Sequence, residues 1–288
     1  MALRAVPHTF PRGFMNFRII GLLCCLSFSA FAQLKLPALS PEAKVVQTAG
    51  LTTITIDYSA PAVKGRKIWG GVVPMDKVWR AGANHATTIN FTQPVIIGDK
   101  EVAAGTYGFF AIPGAAEWTL IVSKQADIWG SDEYKQENDV VRVKVKPQPI
   151  GNRERLVYLV TNFDNAQAHI DLEWEKVRVT LPVKLKTAEQ AAANIKALDN
   201  QAGQYTSAAR YYLEEKDYAN AVVYADKSIA AQESWLAYWV KAQALSGQKK
   251  FKEALPLAEK ANALGSQTPE RYFFAADVKK ALTEWKGK

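Results

Sequence analysis

The segment spanning residues 66–91 concentrates the side chains of this sequence that could take part in chemistry. It holds Trp69 and Trp79, cationic residues beside them, and an Asn84-His85 pair, all interrupted by glycines and a proline. This composition predicts a loop held in a special backbone shape, and such loops carry many binding and catalytic groups. Tryptophan faces and arginine forks together could bind a sugar, an aromatic group or an anion.

The candidate ligand-binding residues in and near this loop are Arg66, Lys67, Arg80, Asn84, His85 and Trp129. Arg80 and Asn84 flank Gly82, and a tight turn at this glycine would aim both side chains at one pocket. Trp79 would point the opposite way in an extended segment, into the core. We therefore expect Trp79 to be structural and Arg80 and Asn84 to be functional. In the alternative, the tryptophans plug one end of the domain and Arg80 pairs with an acid such as Asp76.

The same loop also allows an enzyme. A hydrolase or isomerase could use His85 as general base, Arg80 to stabilise an anion and Asn84 as a hydrogen-bond donor. The sequence lacks a Gly-x-Ser-x-Gly elbow, a phosphate-cradling glycine loop and a His-Glu-x-x-His helix. Since only His85 and His169 follow residue 32, a histidine-rich zinc site is not expected. The sequence favours a non-catalytic binding protein without a cofactor or metal, with an enzyme or a structural envelope scaffold as alternatives.

Residues 1–32 have the pattern of a signal peptide. Arginines precede a largely apolar run, and an Ala-Phe-Ala cleavage pattern ends just before Gln33. The apolar run is shorter than the ~20 residues that a spanning helix needs, which favours cleavage over an uncleaved membrane anchor. We expect an exported protein, periplasmic or secreted, with no stable membrane span after cleavage. Translation starts at Met1 or at Met15, which gives the more ordinary signal sequence.

The positions of the cysteines and the net charge exclude further classes of protein. Both cysteines, Cys24 and Cys25, lie in the signal segment, so the mature chain has no disulfide and no Cys-ligated metal. Removing the three arginines of that segment lowers the net charge from +8 to +5. The charges are interspersed along the chain, and we therefore expect no nucleic-acid binding.

Residues 33–186 are predicted to form an antiparallel β-sandwich or barrel. Short stretches with alternating polarity, such as residues 51–58, are separated by turn signals, including one at Pro147-Gln148-Pro149. The last three predicted strands cover residues 155–163, 167–174 and 176–183. Because no helical pattern separates the strands, a parallel βαβ sheet is not expected.

The stretch from His169 to Glu175 predicts which side chains of its strand face the core. The inward positions are predicted to be Ile170, Leu172 and Trp174. The outward positions, predicted to lie in water, are Asp171, Glu173 and Glu175. His169 falls on the same polar face, so we expect it to be a solvated histidine.

Several motifs occur in order along this β region: Val63–Gly70, Val78–Asn84, Ala104–Tyr107, Glu117–Thr119 and Trp129-Gly130. In these motifs, over roughly residues 38–184, the chain resembles the bacterial family called domain of unknown function 2911. The resemblance implies a fold and export in Bacteroidetes-type bacteria. It implies no reaction, because the family has no established activity. Ala81 stands where members often carry threonine, which removes one hydroxyl from the loop.

Residues 187–288 are predicted to form an all-α part, which makes the chain α+β in two parts. Thr187 and Gln190 suggest a capping box at its start, and a final helix is predicted over residues 268–285. A repeat with an offset of 251 − 218 = 33 residues resembles tetratricopeptide repeats. Pro256 would kink its helix or mark the first turn. Such an array either binds a protein or peptide partner in a groove or caps the β domain.

Overall fold

A computed structural model of the chain describes residues 36–198 and 201–288. Within them, ten strands form two antiparallel sheets and six α-helices follow, which confirms the predicted α+β organisation in two parts. Residues from Leu39 to Lys288 belong to one compact unit. None of the helices in the described ranges is long and apolar enough to cross a membrane. The predicted signal peptide lies outside the described residues.

The strands are β1 (Glu42–Ala49), β2 (Thr52–Ser59), β3 (Thr87–Phe91), β4 (Val95–Ile97), β5 (Lys100–Val102), β6 (Gly105–Ile112), β7 (Trp118–Ser123), β8 (Asp139–Val145), β9 (Gln148–Thr161) and β10 (Gln167–Leu185). One sheet has the order β1-β2-β3-β6-β7-β8 and the other the order β5-β4-β10-β9. A single core contains buried apolar side chains from both sheets, including Ile54, Phe91, Leu172 and Trp174. Alternation along each strand therefore places one face of each sheet on a shared core.

The predicted breaks around β9 and β10 are wrong. β9 begins at Gln148, inside the expected Pro-Gln-Pro turn, and β10 is one strand where two were expected. The pairing register between the two strands shifts on either side of Glu175, whose φ is 55°. An irregularity of this kind bends a strand without ending it. Because it also interrupts the alternation of polarity, the sequence of one strand has the pattern of two.

The prediction that Asp171 and Glu173 lie in water is also wrong, because their exposed fractions are 2% and 1%. Long side chains from β9 and β10 cover them. Arg153 Nη2 lies 2.6 Å from Glu173 Oε2, and Arg178 Nε donates to Glu173 Oε1 at 2.7 Å. The hydroxyl of Thr161 donates to Asp171 Oδ2 at 2.7 Å. These buried carboxylates are therefore compensated by hydrogen bonds and opposite charge.

The helices are α1 (Thr187–Lys196), α2 (Ala202–Glu214), α3 (Tyr218–Ala231), α4 (Trp235–Gly247), α5 (Phe251–Gly265) and α6 (Ala275–Trp285). α4 begins 235 − 202 = 33 residues after α2, and α5 begins 251 − 218 = 33 residues after α3. Six alanines that match at this offset have no exposed surface: Ala209, Ala221, Ala225, Ala242, Ala254 and Ala258. The sequence repeat is thus a structural repeat of helix pairs. Its assignment to the tetratricopeptide class stays a prediction.

Two details of the helical part differ from expectation, and a third excludes one of two expected alternatives. α1 does begin at Thr187, but without a capping box, because the side chains of Thr187 and Gln190 have no hydrogen-bond partner among the described residues. The final helix begins only at Ala275, after a short 3-10 turn that starts at Pro269. Pro256 lies inside α5 and not in its first turn.

The turn between β1 and β2 packs against the start of α1. Gly50 has a φ of +53°, and a Cβ at this position would lie 2.0 Å from Thr187 Oγ1. Glycine is required here both for the backbone conformation and for the close approach. The predicted domain boundary between residues 186 and 187 therefore lies at a packed contact, and the boundary itself stays a prediction.

Candidate functional site

Trp79 anchors the loop that carries the candidate residues. Its backbone exchanges hydrogen bonds with Ala111 in β6, at 2.7 and 2.8 Å, and only 8% of the residue is exposed. Its indole Nε1 donates to the carbonyl of Gly82 at 3.1 Å. The carbonyl of Ala81, where φ is 51°, accepts a hydrogen bond from the hydroxyl of Tyr158 at 2.7 Å. These bonds fix the turn that follows Arg80.

Four tryptophans from distant parts of the chain meet beside this loop. Trp79 stacks on Trp174, with ring centroids 6.0 Å apart and an interplanar angle of 21°. Trp69 contacts both of these rings edge-on, at 5.8 Å in each case, and Trp118 at 4.8 Å. The buried position of Trp79 agrees with its predicted structural role. It also forms part of a cavity wall.

The cavity beside this cluster has a volume of about 600 Å³. Aromatic side chains of Trp79, Trp174 and Tyr134 line it together with aliphatic residues such as Val73 and Val78. Its charged lining residues are Arg66, Lys77, Arg80 and Asp132. The cavity therefore combines an apolar wall with an excess of positive charge, as small-molecule sites for anions do.

Arg80 is the most unusual side chain in this cavity. Its Nε atom is buried and has no hydrogen-bond acceptor. Among the residues described here, Arg80 forms no ion pair within 4.0 Å, and the expected partner Asp76 is not bound to it. A Cβ at Gly130, whose φ is +86°, would lie 3.3 Å from Arg80 Nη1, so the glycine leaves room for the guanidinium. Arg80 thus brings positive charge and open donors into the cavity.

The two other candidate cations behave differently from Arg80. Arg66 lines the same cavity, but its Nε donates to the carbonyl of Val63 at 3.1 Å and its Nη2 to that of Ala62 at 2.5 Å. Lys67 is exposed and is not part of the cavity lining. Arg66 therefore has part of its donor capacity committed to the backbone, and Lys67 lies outside the site.

Asn84 does not line the cavity. With a φ of 58°, it donates from Nδ2 to the hydroxyl of Ser59 at 3.1 Å and to the carbonyl of Ser40 at 3.3 Å. The amide therefore ties the loop to the end of β2. The expected joint pocket for Arg80 and Asn84 is not formed.

His85 lines a second cavity, of about 280 Å³, together with Asp57 and Asp127, and its ring contacts that of Trp129. The two rings meet edge-on with centroids 4.5 Å apart, and Trp129 is 58% exposed. The imidazole has no hydrogen-bond partner among the described residues, so no carboxylate orients it as a general base. His85 does not line the cavity beside Arg80.

Tyr134 is a cavity residue that the sequence did not single out. Its hydroxyl donates to Asp139 Oδ2 at 2.5 Å. Burial, and then the hydrogen bond to Asp139, raise the pKa of Tyr134 well above its ordinary value. Burial also raises the pKa of Asp139, although Tyr134 and Arg142 oppose that change. Tyr134 therefore stays protonated at neutral pH, which makes it unsuited to act as a base.

No metal centre is formed by the described residues, since no group of three or more His, Cys, Asp or Glu side chains could hold an ion there. Trp174, Asp132 and Lys77 are further cavity residues that sequence reasoning missed as site residues. Trp174 was expected to face the core, but its proximity to Arg80 depends on how the two sheets pack. Neither a local motif nor a spacing could have revealed it.

Comparison with known proteins gives one match. The family model described as "Protein of unknown function (DUF2911)" matches residues 40–183. No curated protein and no solved structure matches the chain. The matched range includes every residue that lines the cavity beside Arg80, from Ser40 to Trp174. The fold and the site thus lie within the matched region, and the chain belongs to the DUF2911 family.

Proposed function

We propose that this protein is an exported, non-catalytic binding protein whose β part holds a small molecule in the cavity beside Arg80. The observation that carries the proposal is the unpartnered guanidinium of Arg80 next to the wall formed by Trp79 and Trp174. The cavity volume of about 600 Å³ falls within the range typical of small-molecule sites. The guanidinium forms no hydrogen bond with the described residues, so an anion in the cavity would not have to displace a protein acceptor from it.

Binding is favoured over catalysis by the separation of the reactive groups. Of the residues considered for a hydrolase or isomerase, Arg80 lines one cavity and His85 lines another. Asn84 forms a structural hydrogen bond with Ser59. Tyr134 is committed to Asp139 as a donor. The cavity therefore offers recognition by charge and shape, while no described group in it is arranged as a base.

We propose that the helical part interacts with a protein or peptide partner. Its two helix pairs repeat with the same offset, as expected for an array that presents an extended surface. A groove of about 700 Å³ is lined by α3, α4 and α5 residues, including apolar Val222 and Leu257 and charged Lys241 and Glu253. This mixture is typical of peptide-binding surfaces, in which apolar contacts are surrounded by polar groups.

The ligand proposal is tested by blocking the cavity. Native mass spectrometry of the mature protein, incubated with a small-molecule extract of the cell envelope, should detect a bound species. Ala83→Phe places a ring in the cavity and should abolish binding. Ala104→Phe is the matched control, because Ala104 is exposed and outside the cavity lining. A species that binds equally to all three proteins would argue against this site.

Export is tested separately. Expression of the full chain in a bacterium with an intact envelope should yield a protein that begins at or near Gln33. Intact-mass measurement of protein recovered from the periplasm or medium decides this. Recovered protein that retains residues 17–32 would show that the segment is not a cleaved signal peptide.

A further inference from the structure

We infer that the cavity beside Arg80 binds a carboxylate attached to a flat apolar group, such as an aromatic acid. This inference rests on the proposed binding function of the same cavity and adds the chemical class of the ligand. It follows from the charge, the hydrogen-bonding state and the wall of the cavity, each of which excludes other ligand classes.

The charge of the cavity favours an anion. Arg66, Lys77 and Arg80 face a single acid, Asp132, so the lining has a formal excess of two positive charges. A cation would be repelled by this lining, and a neutral polar ligand would leave the guanidinium of Arg80 uncompensated. An anion is therefore the class that the lining stabilises.

The state of Arg80 favours a planar, singly charged group. Its Nε is buried without an acceptor, and it forms no side-chain hydrogen bond with the residues that the structure describes. Arg66, by contrast, already donates to two carbonyls. A carboxylate accepts two parallel hydrogen bonds from one guanidinium and carries one charge, which matches one open fork.

The wall of the cavity favours a flat apolar body on that carboxylate. Its accessible apolar surface comes from Val72, Val78 and Tyr134, which are half-buried or exposed. Trp79 and Trp174, which stack with an interplanar angle of 21°, also border the cavity but are only 8% and 1% exposed. Aromatic rings gain contact area and favourable packing against such walls. A small inorganic anion would leave this apolar surface uncovered in a cavity of about 600 Å³.

The inference is tested with matched pairs of acids and amides on the mature full-length protein. The probes are benzoate, cinnamate and indole-3-acetate, each with its uncharged amide, and acetate as a carboxylate without a ring. Titration calorimetry with up to about 10 mM probe covers the weak affinities expected of fragments. At least one aromatic acid should bind at least about tenfold more tightly than its amide, because a hydrogen bond to a charged group contributes that much. It should also bind more tightly than acetate, because the ring adds apolar contact.

Three variants identify the group that makes this difference. Arg80→Gln should reduce the acid to the affinity of its amide, and Arg80→Lys should give an intermediate value because it keeps the charge without the fork. Lys67→Gln removes an exposed cation outside the cavity and should change nothing. Thermal melts of each variant verify that it is folded.

The outcomes separate this inference from the proposed function. Amides that bind as well as acids, or no binding by any acid of the panel, would overturn the carboxylate inference. In either case the proposed function stands if Ala83→Phe still blocks a ligand from envelope extract. An acid preference that survives Arg80→Gln would also overturn the inference, since the fork would then not recognise the carboxylate.

Discussion

Replacing Trp79 with alanine should lower the free energy of unfolding by about 3–5 kcal/mol, as truncation of buried tryptophans does. Trp79 is 8% exposed and stacks on Trp174. The variant also loses the hydrogen bond from the indole to the carbonyl of Gly82, which holds the turn after Arg80. Urea unfolding followed by circular dichroism measures the loss, and ligand binding should disappear with it.

Trp129→Ala is the matched control, because the same truncation at a side chain that is 58% exposed should change stability by less than about 1 kcal/mol. The stability loss of Trp79→Phe should fall between those of Trp79→Ala and Trp129→Ala, since it keeps an aromatic ring but removes the N–H donor.

Arg80→Met should likewise cost less than about 1 kcal/mol of stability, because Arg80 forms no ion pair among the described residues. A large loss from Arg80→Met would mean that the arginine is a structural partner.

Replacing Arg153 and Arg178 together with methionine should cost about 3 kcal/mol at neutral pH, the lower end of the range for a broken buried ion pair. Glu173 is 1% exposed and would keep its charge without a guanidinium. The lower end applies because the side chains of Arg153 and Arg178 are 46% and 36% exposed. When they are removed, water can therefore supply some of the hydrogen bonds that Glu173 loses. Lys44→Met, which breaks an exposed pair with Asp57, should cost under about 1 kcal/mol.

The contribution of Glu173 to the free energy of unfolding should depend on pH with opposite sign in this double variant and in the native protein. Burial raises the pKa of Glu173, but the hydrogen bonds from Arg178 and Arg153 outweigh it and hold the pKa below the ordinary value. In the native protein the stabilisation is therefore present above the ordinary glutamate pKa of about 4.3 and is lost as the pH falls through the lower folded value. In the variant only burial remains, so the folded pKa lies above the ordinary value.

The stability gap between variant and native protein should consequently narrow as the pH falls from 7 towards 5. Urea titrations of both proteins at these two pH values test it. A gap that stays constant or widens would show that Glu173 is hydrated in the variant, and that the buried position is not maintained without the arginines.

Local patterns of the sequence predicted local structure well. Alternating polarity identified β2 to within one residue, and the 33-residue offset identified the repeated helix pairs. Both signals arise from neighbours along the chain. The bend at Glu175 and the continuation of β10 beyond it depend on pairing with β9, and alternation alone does not contain this information.

The burial of Asp171 and Glu173 shows a second limit of prediction from the sequence pattern. Period-two alternation correctly assigned these residues to the face opposite Trp174, but it does not say whether that face is covered. Arg153 covers it from another strand. Prediction of the site is limited in the same way, because the residues that surround Arg80 come from segments as distant in sequence as Asp132 and Trp174. Packing of the two sheets brings Trp174 to the cavity beside Arg80, whereas His85 lines another one.

The contact between Gly50 and Thr187 joins the start of the helical part to one end of β2. The turn at Gly50 leads into β2, and the far end of β2, at Ser59, accepts the hydrogen bond from Asn84 in the ligand loop. Eight extended residues span about 25 Å. The start of α1 and the loop after Arg80 are thus attached at opposite ends of one strand. Since the cavity beside Arg80 and the groove of the helices share no lining residue, we expect a small molecule and a macromolecule bound there not to compete for the same surface.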